Sequence, residues 1–268
     1  MLLPVRDPQV LAAALLATSL LVLPAGTTAQ TPDSTALDRS LTQVDERRAD
    51  GAFRDALSRL SELRDRHGDR AAILWRMSLV RVDIGKSADT EEAAQQHYRA
   101  ALTLAEKALT VKESSADAHL ARAVAEGRLA LDAGRQERVE RSRAVKRHAD
   151  RAIALDSTLA GAYHVRGRWH REVSDLNFLE RTVVRTVYGG LPDASFEEAV
   201  QNFRRAIALE DERFHHLELA KTYLMMDRPD DARAQLETVL EMPGRTPFAD
   251  RYAEEAQELL ADLDGGGP

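Results

Sequence analysis

Eight histidines are the residues best equipped for chemistry in this chain, since a neutral imidazole can ligate a metal or move a proton near neutral pH. Their spacing argues for a quieter role. His215 and His216 are adjacent, and neighbours on a helix point roughly 100° apart, whereas converging ligands stand at i and i+4. His119, His170 and His216 fall where a recurring helical pattern places an aromatic ring, and are expected to fill space there. His164 falls on a face that would line a groove, which leaves a ligand contact open beside packing. The acidic pairs Glu91-Glu92, Glu197-Glu198 and Glu254-Glu255 stand at helix starts or on polar faces, where carboxylates complement the helix dipole and do not form a catalytic dyad. The chain has no Gly-rich phosphate loop, H-E-x-x-H pair or G-x-S-x-G elbow. The expectation is therefore no catalytic residue, no metal site and no cofactor.

Composition narrows the classes further. There is no cysteine, which excludes a disulfide framework, a thiolate metal site and a lipid-modified cysteine. The formal charge is -7, with 37 basic and 44 acidic residues interspersed along the chain. A nucleic-acid partner, which calls for a basic face, is not expected. Residues 1–29 have the build of an export signal: Arg6, an apolar run from Val10 to Leu23, then Pro24 and small residues up to Ala29. That run is short of the roughly 20 residues that span a bilayer. Cleavage near Ala29 is expected, giving a periplasmic or secreted protein with no membrane span in its mature form. A flexible start at 30–35, a helical domain at 36–263 and a disordered tail at 264–268 complete the expected organisation.

The elements that would position any site are helices. Ala, Leu, Arg and Glu abound, and no segment alternates with period two for long enough to be a strand. In the last unit His216, Leu219, Ala220 and Tyr223, then Ala232, Leu236 and Pro243, match the offsets of a tetratricopeptide repeat. Ala220 and Ala232 are small where two helices touch, Tyr223 and Leu236 fill the layer between hairpins, and Pro243 stops the second helix. Tyr163, Gly167 and His170 with Ala199, Phe203 and Ala206 repeat the scheme. Some 20 residues are inserted, since 32 positions separate Gly167 from Ala199 where Ala220 and Ala232 are 12 apart. Trp75 and Leu79 with Ala101, Ala105 and Ala108 make another unit, and His119 and Ala123 with Ala149 and Ala152 a further one, each about ten residues over length. Val44, Ala56, Leu60 and Leu63, with a turn at Gly51, make the first unit. The fold class is thus all-α: a tetratricopeptide-like superhelical solenoid of about five hairpins, capped by a helix from Phe248 to Leu263.

The second half carries a more particular likeness. Gly167-Arg168-Trp169-His170, Glu172 to Leu176, Glu180-Arg181, Tyr188-Gly189-Gly190, Pro192 to Ser195, Glu197 to Ala199 and Phe203 resemble the regulator of microtubule dynamics family, as do Leu219 to Tyr223 and the ending from Pro243 to Tyr252. The resemblance implies the repeat fold and a non-catalytic adaptor. An exported chain would not meet microtubules, so the named activity is not expected to carry over.

Within the insertion, 175–192, Leu176, Leu179, Val183 and Val187 recur at helical spacing, widened by Val184 and Tyr188. Such a stripe reads first as filler of the gap that the insertion makes, with a cover over the groove or a helix lying on a membrane as alternatives. Solenoids bind on the inner faces of their first helices. The repeat register assigns that lining to Asp117, Leu120, Val124 and Arg128, then His164, Arg168 and Arg171, then Leu217, Lys221 and Met225. Arg168, Arg171 and Lys221 would meet an acidic side chain, a terminal carboxylate or a phosphate, unless they pair within the domain. The expected function is an exported scaffold for a protein or peptide partner. The alternative is a lipid or small-amphiphile carrier whose cavity is closed by residues 176–188.

Overall fold

The structure, a computed structural model, describes residues 32–244 and 246–265. The expected signal and its cleavage point lie outside the described residues. These form twelve helices and no strand: α1 (Pro32–Ala49), α2 (Phe53–His67), α3 (Ala71–Lys86), α4 (Glu91–Val111), α5 (Ala116–Ala130), α6 (Arg135–Leu155), α7 (Ala160–Ser174), α8 (Phe178–Tyr188), α9 (Phe196–Leu209), α10 (Arg213–Met225), α11 (Pro229–Glu241) and α12 (Ala249–Asp264). Helix α1 already occupies most of the stretch 30–35 that reads as flexible, because proline at a first helical position lacks only an N–H that would have no partner.

Five antiparallel pairs, α1–α2, α3–α4, α5–α6, α7–α9 and α10–α11, stack in chain order, and α12 packs on the last. This is the expected solenoid. Its apolar interior is a chain of small clusters, from Val44, Leu60 and Ile73 at one end to Leu217, Leu236 and Val239 at the other. Each pair therefore depends on its neighbours. The residues beyond a standard repeat in the second and third pairs are not loops; they lengthen α4 and α6 to 21 residues each, against 13 in α11.

Small residues set the helix spacing. Ala101, Ala105 and Ala108 of α4 are wholly buried, and the Ser78 hydroxyl of α3 reaches the Ala101 carbonyl at 2.8 Å. A Cβ on Gly85 would sit 2.5 Å from the Tyr98 ring, and one on Gly167 would sit 3.0 Å from Phe203. Close approach leaves no room there for any side chain.

The insertion forms α8, and the filler reading is corrected: none of its residues is buried, and Phe178 is 86% exposed. Its ends are held by polar contacts. Asn177 and Glu180 exchange hydrogen bonds in a capping box, and Gly189 closes the C-terminus in the left-handed region at φ 75°. Arg143 of α6 donates to the carbonyls of Tyr188 and Gly190.

The two ends of the array meet. Phe53, at the start of α2, stacks on Phe248 before α12, with centroids 5.7 Å apart and planes within 19°. Lys86 Nζ lies 5.1 Å from the Phe248 ring centroid, and Gly51 abuts Pro247. The superhelix thus closes on itself, and its concave side becomes a bounded cavity.

Candidate functional site

That cavity, a half-open groove, has a volume of ≈ 1660 Å³ and is walled by the first helices, by α8 and by α12. Trp75, Leu79 and Asp83 of α3 recur at i, i+4 and i+8, and Leu120, Val124 and Arg128 of α5 repeat that spacing one unit later. His164 and Arg168 of α7 continue the wall, then Phe214 and Glu218 of α10. From α8 come Leu179, Val183, Val184 and Tyr188, with Leu176 before it. Most of the apolar stripe of the insertion therefore faces the groove, as a side wall, while Val187 lies off the lining and is 65% exposed.

The structure places Asp117, Leu120, Val124, Arg128, His164 and Arg168 on the lining. It does not bring Arg171, Leu217, Lys221 and Met225 there. Leu217 is buried against α11 and α12, and Met225 is solvent-exposed near the end of α10. Arg171 and Lys221 belong to an internal ion cluster around Glu218, whose side chain is 13% exposed. Glu218 receives Arg171 at 2.6 Å, Lys221 at 3.3 Å and Arg168 at 3.5 Å. Arg171 also reaches Glu172 at 3.1 Å, and Lys221 pairs with Glu255. Burial alone would raise the Glu218 pKa, but the three cations outweigh it and hold the carboxyl ionised far below its ordinary range. The cations that the sequence offers to an external anion are thus spent on an internal one. Alternation of charges on facing helices signals such pairing, but the partner Glu218 lies 47 positions from Arg171, out of reach of any local pattern.

Histidines form two buried contacts. His119 Nδ1 meets His148 Nδ1 at 2.8 Å between α5 and α6, and His164 Nδ1 meets His215 Nδ1 at 2.9 Å between α7 and α10. One ring donates and the other accepts, so at least one of each pair is neutral. Burial lowers the pKa of all four, and the His215 charge further disfavours protonation of His164. His164 packs edge-on against Phe203 and Phe214. His170 lies edge-on to Trp169, and His216 bridges Asp211 and Gln235, each at 2.8 Å. Among the described residues no group of three or more His, Asp or Glu is arranged to hold a metal.

Several lining residues are not legible in the repeat. Arg48 of α1 and Lys86 of α3 grip Asp83 at 2.6 and 3.1 Å. Burial would raise the Asp83 pKa, but Lys86 and Arg48 keep it lowered. Burial in turn pulls Lys86 down to about 8 despite Asp83. Phe248, Arg251 and Tyr252 arrive from α12 and its approach. The i+4 step from Leu79 leads to Asp83; no offset leads to residues of a capping helix.

The family model described as Regulator of microtubule dynamics protein 1-3 matches residues 40–264. The chain is 27% identical over 195 residues to regulator of microtubule dynamics protein 3 of Mus musculus, covering 72% of this chain and 42% of that one. It is 26% identical over 198 residues to regulator of microtubule dynamics protein 1 of Bos taurus, covering 73% and 62%. The chain therefore spans less than two thirds of the length of either relative. Among solved structures, a thermophilic TPR protein of Thermus thermophilus superposes with a TM-score of 0.63 at 17% identity, covering 84% of this chain and 98% of that one. That likeness concerns the fold. No described helix is long and apolar enough to cross a membrane.

Proposed function

The chain belongs to the regulator of microtubule dynamics family, and from that premise we propose that it is a non-catalytic binding scaffold whose concave groove receives a protein or peptide partner. The carrying observation is the bounded groove itself, whose floor mixes aliphatic, aromatic and charged side chains. The named role of the relatives in microtubule dynamics is not proposed for this chain. We propose export instead, with the segment ending near Ala29 removed; N-terminal sequencing of protein from the cell envelope should begin near Gln30, and an intact Met1 would count against it.

The groove reading is tested by selecting peptides against the protein from a displayed library. Leu131 lines the groove and is 54% exposed, while Val111 is 48% exposed and lies away from it. Leu131→Glu should weaken a selected peptide by about tenfold or more, a loss typical of an apolar anchor, and Val111→Glu should not. Equal binding by both variants would remove the groove from the interface. A second reading, a lipid or small-amphiphile carrier, is favoured by the apolar stripe that α8 turns to the groove. Native mass spectrometry decides it: a co-purifying amphiphile lost in Leu179→Asp supports a carrier, and its absence leaves the peptide scaffold.

A further inference from the structure

Arg128 is one of the groove cations that no carboxylate among the described residues neutralises. It is half-buried on α5, and its guanidinium makes no hydrogen bond or ion pair with any described residue. Arg128, Arg168, Arg251 and Tyr252 line the same groove; Arg168 and Arg251 act on Arg128 with like charge, and Lys86 feels its charge in turn. The carboxylates nearby are engaged. Asp83 holds Arg48 and Lys86, and Glu218 holds Arg171, Lys221 and Arg168. Arg251 has aromatic rings as partners, Phe248 at 4.9 Å and Tyr252 at 5.9 Å. A partly desolvated guanidinium beside other cations weakens the free protein. The same arrangement attracts an oxyanion, because a guanidinium presents paired N–H donors that match two oxygens.

We infer that Arg128, supported by Arg251 and the Tyr252 hydroxyl, is an oxyanion receptor on the groove floor that takes a carboxylate of the bound peptide. This rests on the groove being the peptide surface. It moves anion recognition away from Arg168, Arg171 and Lys221, which the Glu218 cluster occupies, to the junction of the middle of the array with its cap. Phosphate shares the chemistry and serves as a probe that needs no peptide.

The experiment has two arms. In the first, inorganic phosphate is titrated while the Nε–H signal of Arg128 is followed by NMR, assigned from its loss in Arg128→Lys. A saturable movement that Arg251→Met weakens is expected; a static signal overturns the receptor. In the second, a selected acidic peptide is compared with the same peptide in which each carboxylate is replaced by an amide. Wild type should lose about tenfold or more in affinity for the amide form, and Arg128→Met should bind both forms alike. An equal loss in both proteins overturns the assignment of the carboxylate to Arg128 while leaving the scaffold intact. Failure to select any peptide removes the scaffold, and the phosphate arm still decides the receptor. Arg128→Met relieves like-charge repulsion, so its melting temperature should equal or exceed that of wild type, which separates lost recognition from lost folding.

Discussion

At the scale of single residues, the chemistry in this protein is mostly turned inward. The Nδ1–Nδ1 contacts at His119–His148 and His164–His215 tie neighbouring helices together only while each pair keeps a neutral ring. Burial, reinforced by Arg122, drives His148 down to about 3, and burial with the neighbouring His216 does the same to His215. A histidine whose folded pKa lies below its unfolded value is protonated first in the unfolded chain. Its stabilising share is present above about pH 6.5 and is lost as pH falls toward the folded value. Urea unfolding should therefore show stability dropping below pH 6.5, by up to about 1.4 kcal/mol per pH unit for each such histidine. A flat profile between pH 7 and pH 5 would contradict the neutral pairing.

At the scale of elements, α8 stands apart from the other eleven helices. The hairpins are held by buried alanines and interleaved apolar side chains, whereas α8 fully buries none of its residues and depends on its caps and on Arg143. Local opening is governed by buried contacts, so α8 belongs to the least stable part of the structure. Asn177→Ala should speed hydrogen exchange across Phe178–Tyr188, since an N-cap contributes about 1 kcal/mol to its own helix. The global melting temperature should stay nearly unchanged. Equal loss of protection throughout the molecule would show that α8 is part of the common core. The stripe was readable from its spacing, but not its direction: periodicity says that one face is apolar and does not say what that face meets.

At the scale of the whole molecule, the contact of the cap with the first hairpin turns an open spiral into a bounded one. Phe248 stands at this junction, between Phe53 and Lys86. Phe248→Ala should let the ends separate, seen in solution scattering as an increased radius of gyration, with the helix content unchanged because each hairpin packs mainly on its neighbours. An unchanged radius would mean that other contacts hold the ends. The junction also carries Arg251 and Tyr252 into the groove, so closure and the character of the binding surface are linked.

The residues and their spacing were enough to determine the helical class, the five hairpins, the cap and the inserted segment, because helix packing repeats a local rule: small residues at the crossings and larger ones between layers. Only the tertiary structure decided which cations remain free. Arg171 and Arg168 find Glu218, and Arg48 finds Asp83, across helices far apart in sequence. Electrostatic pairing depends on distance in space, and the curvature that sets those distances accumulates over the whole stack, where no window of sequence records it.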